Sequence, residues 1–255
     1  LVGGSATIAT GASLFKKCND KDGVVVANLG DGSMGRGPVW EALSFATMDQ
    51  YRTLWEEGRK GGLPLIFNIN NNSYGMGGQT CGETMAYNIL ARFGAGVNED
   101  QMHAERVDGF NPLAVIDAYK RKKAIIEERR GPVLLDVLTY RFSGHSPSDA
   151  SSYRTKEELA AWQEVDPLIT YRAELVKAGI ADDSAFEAIL ENVKKEMTEV
   201  VKLAVDPQIS PYMDLVAQPN AIADIMFSNE TRMSLDETRE PEVLIPKEEN
   251  PRVQK

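Results

Sequence analysis

Three apolar runs without polar alternation punctuate the first 140 residues, and each has the length of a strand buried on both faces. They are Val24-Val25-Val26-Ala27 continuing to Leu29, Leu63-Pro64-Leu65-Ile66-Phe67 leading to Asn70, and Val133 to Tyr140. Continuous hydrophobicity of this kind predicts central parallel strands. Between them the period changes to that of a helix. A helix is expected from about Gly37-Pro38, with Val39, Leu43 and Ala46 on one face. A second opens at Asn111-Pro112 with an N-cap and an N1 proline, carries Leu113, Ile116, Tyr119 and Ile126 at helical spacing, and stops at Gly131-Pro132. Strand, helix, strand, helix, strand is the alternation of an α/β fold with a doubly wound parallel sheet.

The intervening segments read less sharply. Ala9 to Leu14 is a small-residue stretch suited to a close-packed helix, and Tyr51 to Gly62 reads as a helix extension ending in a surface loop. Gly75, Gly77, Gly78 and Gly82 mark a mobile loop, Ala86 to Phe93 a short helix, and Arg106 to Gly109 a short strand and turn. Two further helices are expected. One starts at the capping box Thr155-Lys156-Glu157-Glu158, and the other spans about 183–204 with an apolar stripe that docks on the domain. Prolines at 207, 211, 219, 241, 246 and 251 predict an extended tail, dividing the chain into an α/β domain with C-terminal helices (1–206) and a tail or linker (207–255).

Composition narrows the function classes. The 255 residues are 42% hydrophobic and 26% charged, ordinary for a globular chain, and the formal net charge of -10 argues against general nucleic-acid affinity. Cys18 and Cys81 form neither a disulfide framework nor a CxxC site and fit a reducing compartment, the cytosol by default, with the mitochondrial matrix and the plastid left open. No apolar run approaches the roughly 20 residues of a membrane span. There is no GxxxxGK[ST] for a P-loop and no GxSxG, and His103 and His145 are too few histidines for much hydrolase chemistry.

The candidate chemistry sits just after two of the strands. Gly30-Asp31-Gly32-Ser33 follows the first and Asn70-Asn71-Asn72-Ser73-Tyr74-Gly75 the second, which places both at the carboxyl ends of parallel strands, where ligands bind. An acid and an amide there offer oxygens to a hard cation, and the glycines let phosphate approach backbone N–H groups. The site suggested is Mg2+ with a diphosphate. An Asp between glycines alone is as often a plain turn; the paired asparagines and the strand context favour the site.

These residues carry a family resemblance. Gly30-Asp31-Gly32 with the downstream asparagines is similar to the thiamine diphosphate motif. Asn71 to Gly77, Arg141 to Asp149 and Ser152 to Thr155 narrow it: the chain resembles, from Leu1 to about Asp206, the alpha subunit of the 2-oxo acid dehydrogenase first component. That group includes pyruvate, branched-chain 2-oxo acid and acetoin dehydrogenases. The resemblance implies that Asp31, the Asn72 side-chain oxygen and the Tyr74 carbonyl hold Mg2+, and that Gly32 and Ser33 offer N–H groups to the diphosphate. It also implies that Val2 and Gly3 lie along the aminopyrimidine, and that His145 is the catalytic histidine reaching the diphosphate end of the channel. Asn71 reads as a brace for the turn.

The activity implied is oxidative decarboxylation of a 2-oxo acid, or cleavage of acetoin, with acyl transfer to a lipoyl-bearing acyltransferase. A beta subunit or beta half would supply the rest of the site in an alpha2beta2 heterotetramer. Three departures stand out: a longer interval between residues 33 and 70, the absence of the family's N-terminal portion, and a tail past its usual end, of which 240–255 resembles a linker. The expectation is a fragment, or the alpha half of an alpha and beta fusion, with a simple tail extension weighing equally for the C-terminal part. The rivals are another thiamine diphosphate enzyme of transketolase or decarboxylase type, which should lack the Arg141 to Asp149 loop, and a noncatalytic assembly subunit.

Overall fold

The computed structural model describes residues 2–226 together with 246, 248 and 249. The chain divides into two compact units, Leu1–Asp182 and Asp183–Lys255. In the first, helix α1 (Gly4–Cys18) leads to β1 (Val25–Gly30), a 3-10 turn (Asp31–Ser33), α2 (Gly37–Ala46), the short α3 (Gln50–Thr53) and β2 (Leu65–Asn71). There follow α4 (Phe93–Asn98), β3 (His103–Asp108), α5 (Pro112–Glu127), β4 (Val133–Leu138), α6 (Lys156–Glu164) and α7 (Pro167–Lys177). The second unit contains α8 (Asp183–Val205), none of whose residues is buried, and α9 (Ala221–Met226). Of the stretch read as an extended tail or linker (207–255), residues 207–226 are described and end in the helix α9; beyond them only 246, 248 and 249 are described, so the linker expected at 240–255 otherwise lies outside the described residues.

All four strands are parallel, in the order β1-β2-β4-β3. Their shared direction puts all four carboxyl ends on one edge. The strands expected at 24–29, 63–70 and 133–140 are present, and Arg106 to Asp108 proves to be the end of a full fourth strand; β1, however, is an edge strand and not a central one, burying Ala27 and Leu29 while Val26 and Asn28 stay exposed. Two cores flank the sheet. One joins Leu29, Leu65, Phe67, Ile69 and Leu134 to Ala6 and Ala9 of α1 and to Val39, Leu43 and Ala46 of α2. The other sets Ile66, Val133, Leu135 and Val137 against Ala118 and Ile126 of α5.

Several boundaries and faces differ from the sequence reading. Helix α1 extends well beyond Ala9 to Leu14, because its small residues Ala6, Ala9, Thr10 and Ser13 form the buried face. In α5 the Asn111 cap is present, its side chain accepting from the N–H groups of Leu113 and Ala114. Ile126 is buried and Tyr119 half-buried, as that spacing implies, but Leu113 and Ile116 are exposed, and the helix buries Ala118 and Lys122 in addition. Lys122 misled the pattern because its ammonium is neutralised by Glu105 at 2.9 Å.

The 51–62 segment is not a free surface loop. Tyr51 is buried, the Gly62 N–H donates to the Arg129 carbonyl at 2.6 Å, and Arg52 donates to the Arg130 carbonyl at 2.9 Å. Likewise the glycine-rich stretch after β2 closes on itself, with Gly75 N–H donating to Gly78 O and Thr80 N–H to Ser73 O, each at 2.9 Å. Helix α4 begins at Phe93, where the expected short helix ended, and α7 was not anticipated.

Candidate cofactor site

The β1–β2 register pairs Gly30 with Asn70, so the two candidate segments leave the sheet side by side. Asp31 opens the 3-10 turn after β1 and is only 3% exposed. Its Oδ2 accepts from the Thr80 hydroxyl at 2.5 Å. Burial raises its carboxyl pKa; the Thr80 hydroxyl and the backbone N–H groups of Gly32 and Ser73 pull it partly back. The Ser73 contact brings the second segment onto the first.

Beyond β2 the chain turns sharply. The Asn72 side-chain oxygen accepts from Tyr74 N–H at 3.1 Å, and Ser73 between them adopts a φ of 64°. An Asn side chain that mimics a backbone turn is a common way to hold such a reversal. Asn71 braces it, as expected: its amide donates to Asp136 Oδ1 at 2.9 Å, and its carbonyl accepts from Thr139 N–H at 2.8 Å. Asp136 is fully buried in β4 and also accepts from Leu90 N–H (2.8 Å), Ala91 N–H (3.2 Å) and Arg106 Nε (2.8 Å). The β3–β4 register pairs Arg106 with Asp136 directly.

Tyr74 links this turn to the later loop. Its hydroxyl donates to the Glu158 carboxylate (2.8 and 2.9 Å), and burial, then the Glu158 hydrogen bond, pushes the phenol up to about 12. The 155–158 capping box is therefore only half made: Glu158 N–H donates to Thr155 Oγ1 at 3.0 Å, while its carboxylate reaches Tyr74. Arg141 donates to the Gly75 carbonyl at 3.0 Å and lies 2.8 Å from His145 Nδ1. The exposed His145 is thus tethered to the turn through Arg141, and its own N–H donates to Asp149 at 2.7 Å.

Asp149 also accepts from Tyr153 Oη (2.7 Å) and Ser151 N–H (2.8 Å). The His145 and Ser151 N–H bonds and the Tyr153 hydroxyl lower its carboxyl to about 2. Arg154 closes the loop by donating to the carbonyls of Arg141 and Ser143. Its guanidinium lies 5.7, 5.5 and 5.6 Å from the ring centroids of Tyr74, Tyr140 and Tyr153. At that range each aromatic face attracts the cation.

Asp31, Gly32, Ser33, Asn72, Tyr74 and His145 therefore belong to one connected neighbourhood. Val2 is exposed, and Gly3 precedes α1 with a φ of 82°; a Cβ there would come 3.1 Å from Val39. That conformation and closeness give Gly3 a packing role of its own. The sequence reading missed Thr80, Arg106, Asp136, Arg154 and Glu158. Arg154 and Glu158 carried a signal, as members of the Ser152 to Thr155 motif and the capping box but not as site residues, and Asp136 another: a carboxylate inside an apolar strand requires partners.

The donor set suits a hard divalent cation. Burial disfavours the ionised form of Asp31, which a neighbouring cation would favour, and the Asn72 oxygen retains a second lone pair. Among the described residues no cluster of three His, Cys, Asp or Glu side chains could hold a metal, so protein ligation here would rest on one carboxylate and neutral oxygens. Mg2+ is ordinarily bound in that way, with phosphate oxygens and water filling the octahedron.

The dehydrogenase E1 component family matches residues 1–211. The chain belongs to that family. It is 30% identical over 218 residues to the pyruvate dehydrogenase E1 component subunit alpha of Rickettsia conorii, covering 86% of this chain and 62% of that protein. It is 30% identical over 213 residues to the probable mitochondrial subunit of Caenorhabditis elegans (83% and 49%). The somatic mitochondrial form of Bos taurus is 33% identical over 214 residues (82% and 50%). The chain thus spans less than two thirds of the length of these relatives. No helix among the described residues is long and apolar enough to cross a membrane.

Proposed function

We propose that this E1-family chain is the alpha component of a thiamine diphosphate-dependent dehydrogenase for a 2-oxo acid, and that it supplies the diphosphate end of the cofactor site. The observation that carries the reading is Asp31, a buried carboxylate at the end of a parallel strand, bonded to the turn that presents Asn72 and Tyr74. Asp31, the Asn72 oxygen and the Tyr74 carbonyl would hold Mg2+, and the N–H groups of Gly32 and Ser33 at the start of a helical turn would receive the diphosphate. Val2 and Gly3 would lie toward the aminopyrimidine. The bound cofactor supplies an electron sink that lets CO2 leave the 2-oxo acid. His145 would hold or move a proton at the mouth of the site, positioned by Arg141 and Asp149.

The partners proposed are a beta chain completing the site in an alpha2beta2 assembly and a lipoyl-bearing acyltransferase that takes the acyl group. Pyruvate is the first substrate to test, because the relatives named above are pyruvate dehydrogenase subunits. The transketolase-type and noncatalytic readings draw no support from those matches. The test is a calorimetric titration of thiamine diphosphate into the complete assembly, with and without Mg2+, for the native protein and Asp31→Asn. Mg2+-dependent binding lost in the variant supports the site; binding indifferent to both refutes it.

A further inference from the structure

At the amino ends of the strands lies a constellation that the proposed activity does not use. A recess of about 530 Å³ opens between the α1–β1 turn, the approach to β2 and the end of α5, and six cations line it: Lys16, Lys17, Lys21, Arg59, Lys123 and Arg129. That volume falls within the range of small-molecule sites. Lys16 Nζ donates to the Asp22 carbonyl at 2.6 Å, Lys17 Nζ to the Gly61 carbonyl at 2.7 Å, Arg59 to the Cys18 carbonyl at 3.1 Å and Arg129 to the Gly58 carbonyl. Each of these acceptors is a neutral carbonyl. Among the described residues, only Lys123 of the six is paired with a carboxylate, that of Glu127 at 2.6 Å.

The charge balance favours an anion. Asp20, Asp22 and Glu127 also line the recess, so the cations exceed the carboxylates by three. Helices α1 and α5 both end here, and each C-terminus contributes about half a negative charge, which leaves a surplus of about two. This lies in a chain whose formal net charge is -10. Lys17 feels the crowding: burial and then the neighbouring Arg129 lower its ammonium pKa. Backbone bonds hold several of the cations in place, and lysine ammoniums suit phosphate as point charges.

We propose that this recess binds a multiply charged phosphate anion, either a polyphosphate chain or the phosphates of a nucleotide. The test is calorimetric titration of ATP and of inorganic tripolyphosphate, in Mg2+-free buffer, into the full native chain, Lys21→Gln/Lys123→Gln and Asp31→Asn. Saturable binding is expected, weakened about tenfold or more in the double lysine variant at unchanged melting temperature and unaltered in Asp31→Asn. Tighter binding of ATP assigns a nucleotide, and equal binding assigns the phosphate chain. Absence of saturable binding, or binding indifferent to the lysines, overturns the proposal. Because the cofactor reading depends on Asp31 and this one does not, the two fail independently.

Discussion

Replacing Asp136 with Asn tests the brace beneath the candidate site. Asp136 Oδ2 accepts from Leu90 N–H, Ala91 N–H and Arg106 Nε, and Oδ1 from the Asn71 amide. An Asn that keeps its oxygen toward the first three turns its own amide against that of Asn71. The opposite rotamer leaves three donors facing an NH2 group. Hydrogen bonds to a charged group contribute about 1.5–3 kcal/mol each against about 0.5–1.5 for neutral ones, and breaking a buried ion pair costs about 3–5 kcal/mol. Arg106 is 29% exposed and regains water, which places the expected loss near the lower end, about 3 kcal/mol. That is a large part of the roughly 5–15 kcal/mol of a typical domain. With a urea slope of about 2 kcal/mol per M, the unfolding midpoint of Asp136→Asn should fall by about 1.5 M, followed by circular dichroism and tryptophan fluorescence together. Asp136→Leu should fall further, because all four donors lose their acceptor at once. A loss below about 1 kcal/mol in Asp136→Asn would refute the view that this carboxylate anchors the turn.

Two other expectations follow from single contacts. Glu158→Ala and Tyr74→Phe should each cost about 1 kcal/mol in denaturant unfolding, and the double variant should cost about the same as either alone; strict additivity would mean that the two groups do not interact. Glu105, held by Arg121 and Lys122, has its carboxyl lowered from 4.5 to about 2. Its folded pKa is depressed, so its stabilising contribution is present above about pH 4.5 and lost as pH falls toward about 2. The stability difference between the native chain and Glu105→Gln should therefore close across that window, and a difference constant with pH would count against the pairing.

β2 and β4 were legible because a strand buried on both faces has no polar alternation to confuse, β1 because its run is apolar even on the face it exposes, and the Asn111 cap because it is local. What escaped depended on register. Nothing in the isolated sequence aligns Arg106 with Asp136, so neither the buried pair nor its service to Asn71 was visible. The same holds for Lys122, whose burial follows from Glu105 on the adjacent strand. The segments carrying Asp31, Asn72 and Tyr74 were legible from their place at strand ends, and these residues were singled out by the family resemblance, whereas Thr80 and Glu158 reach them from segments whose path the sequence does not specify. The polar 51–62 segment looked free because its partners, the carbonyls near Gly131, are distant in sequence.

The strand order carries a consequence for how the molecule comes together. β4 is last in sequence yet lies between β2 and β3, so during synthesis the first three strands emerge with a gap at the middle of the sheet. Until residues 133–138 fill it, Asn71 has no Asp136 to hold, and the turn that follows has no floor. Non-local parallel pairing of this kind is slow, since the intervening chain must be ordered before contacts repay it. A nascent chain halted before residue 133 would already contain every proposed ligand of the metal, yet lack the carboxylate that braces Asn71 beneath them.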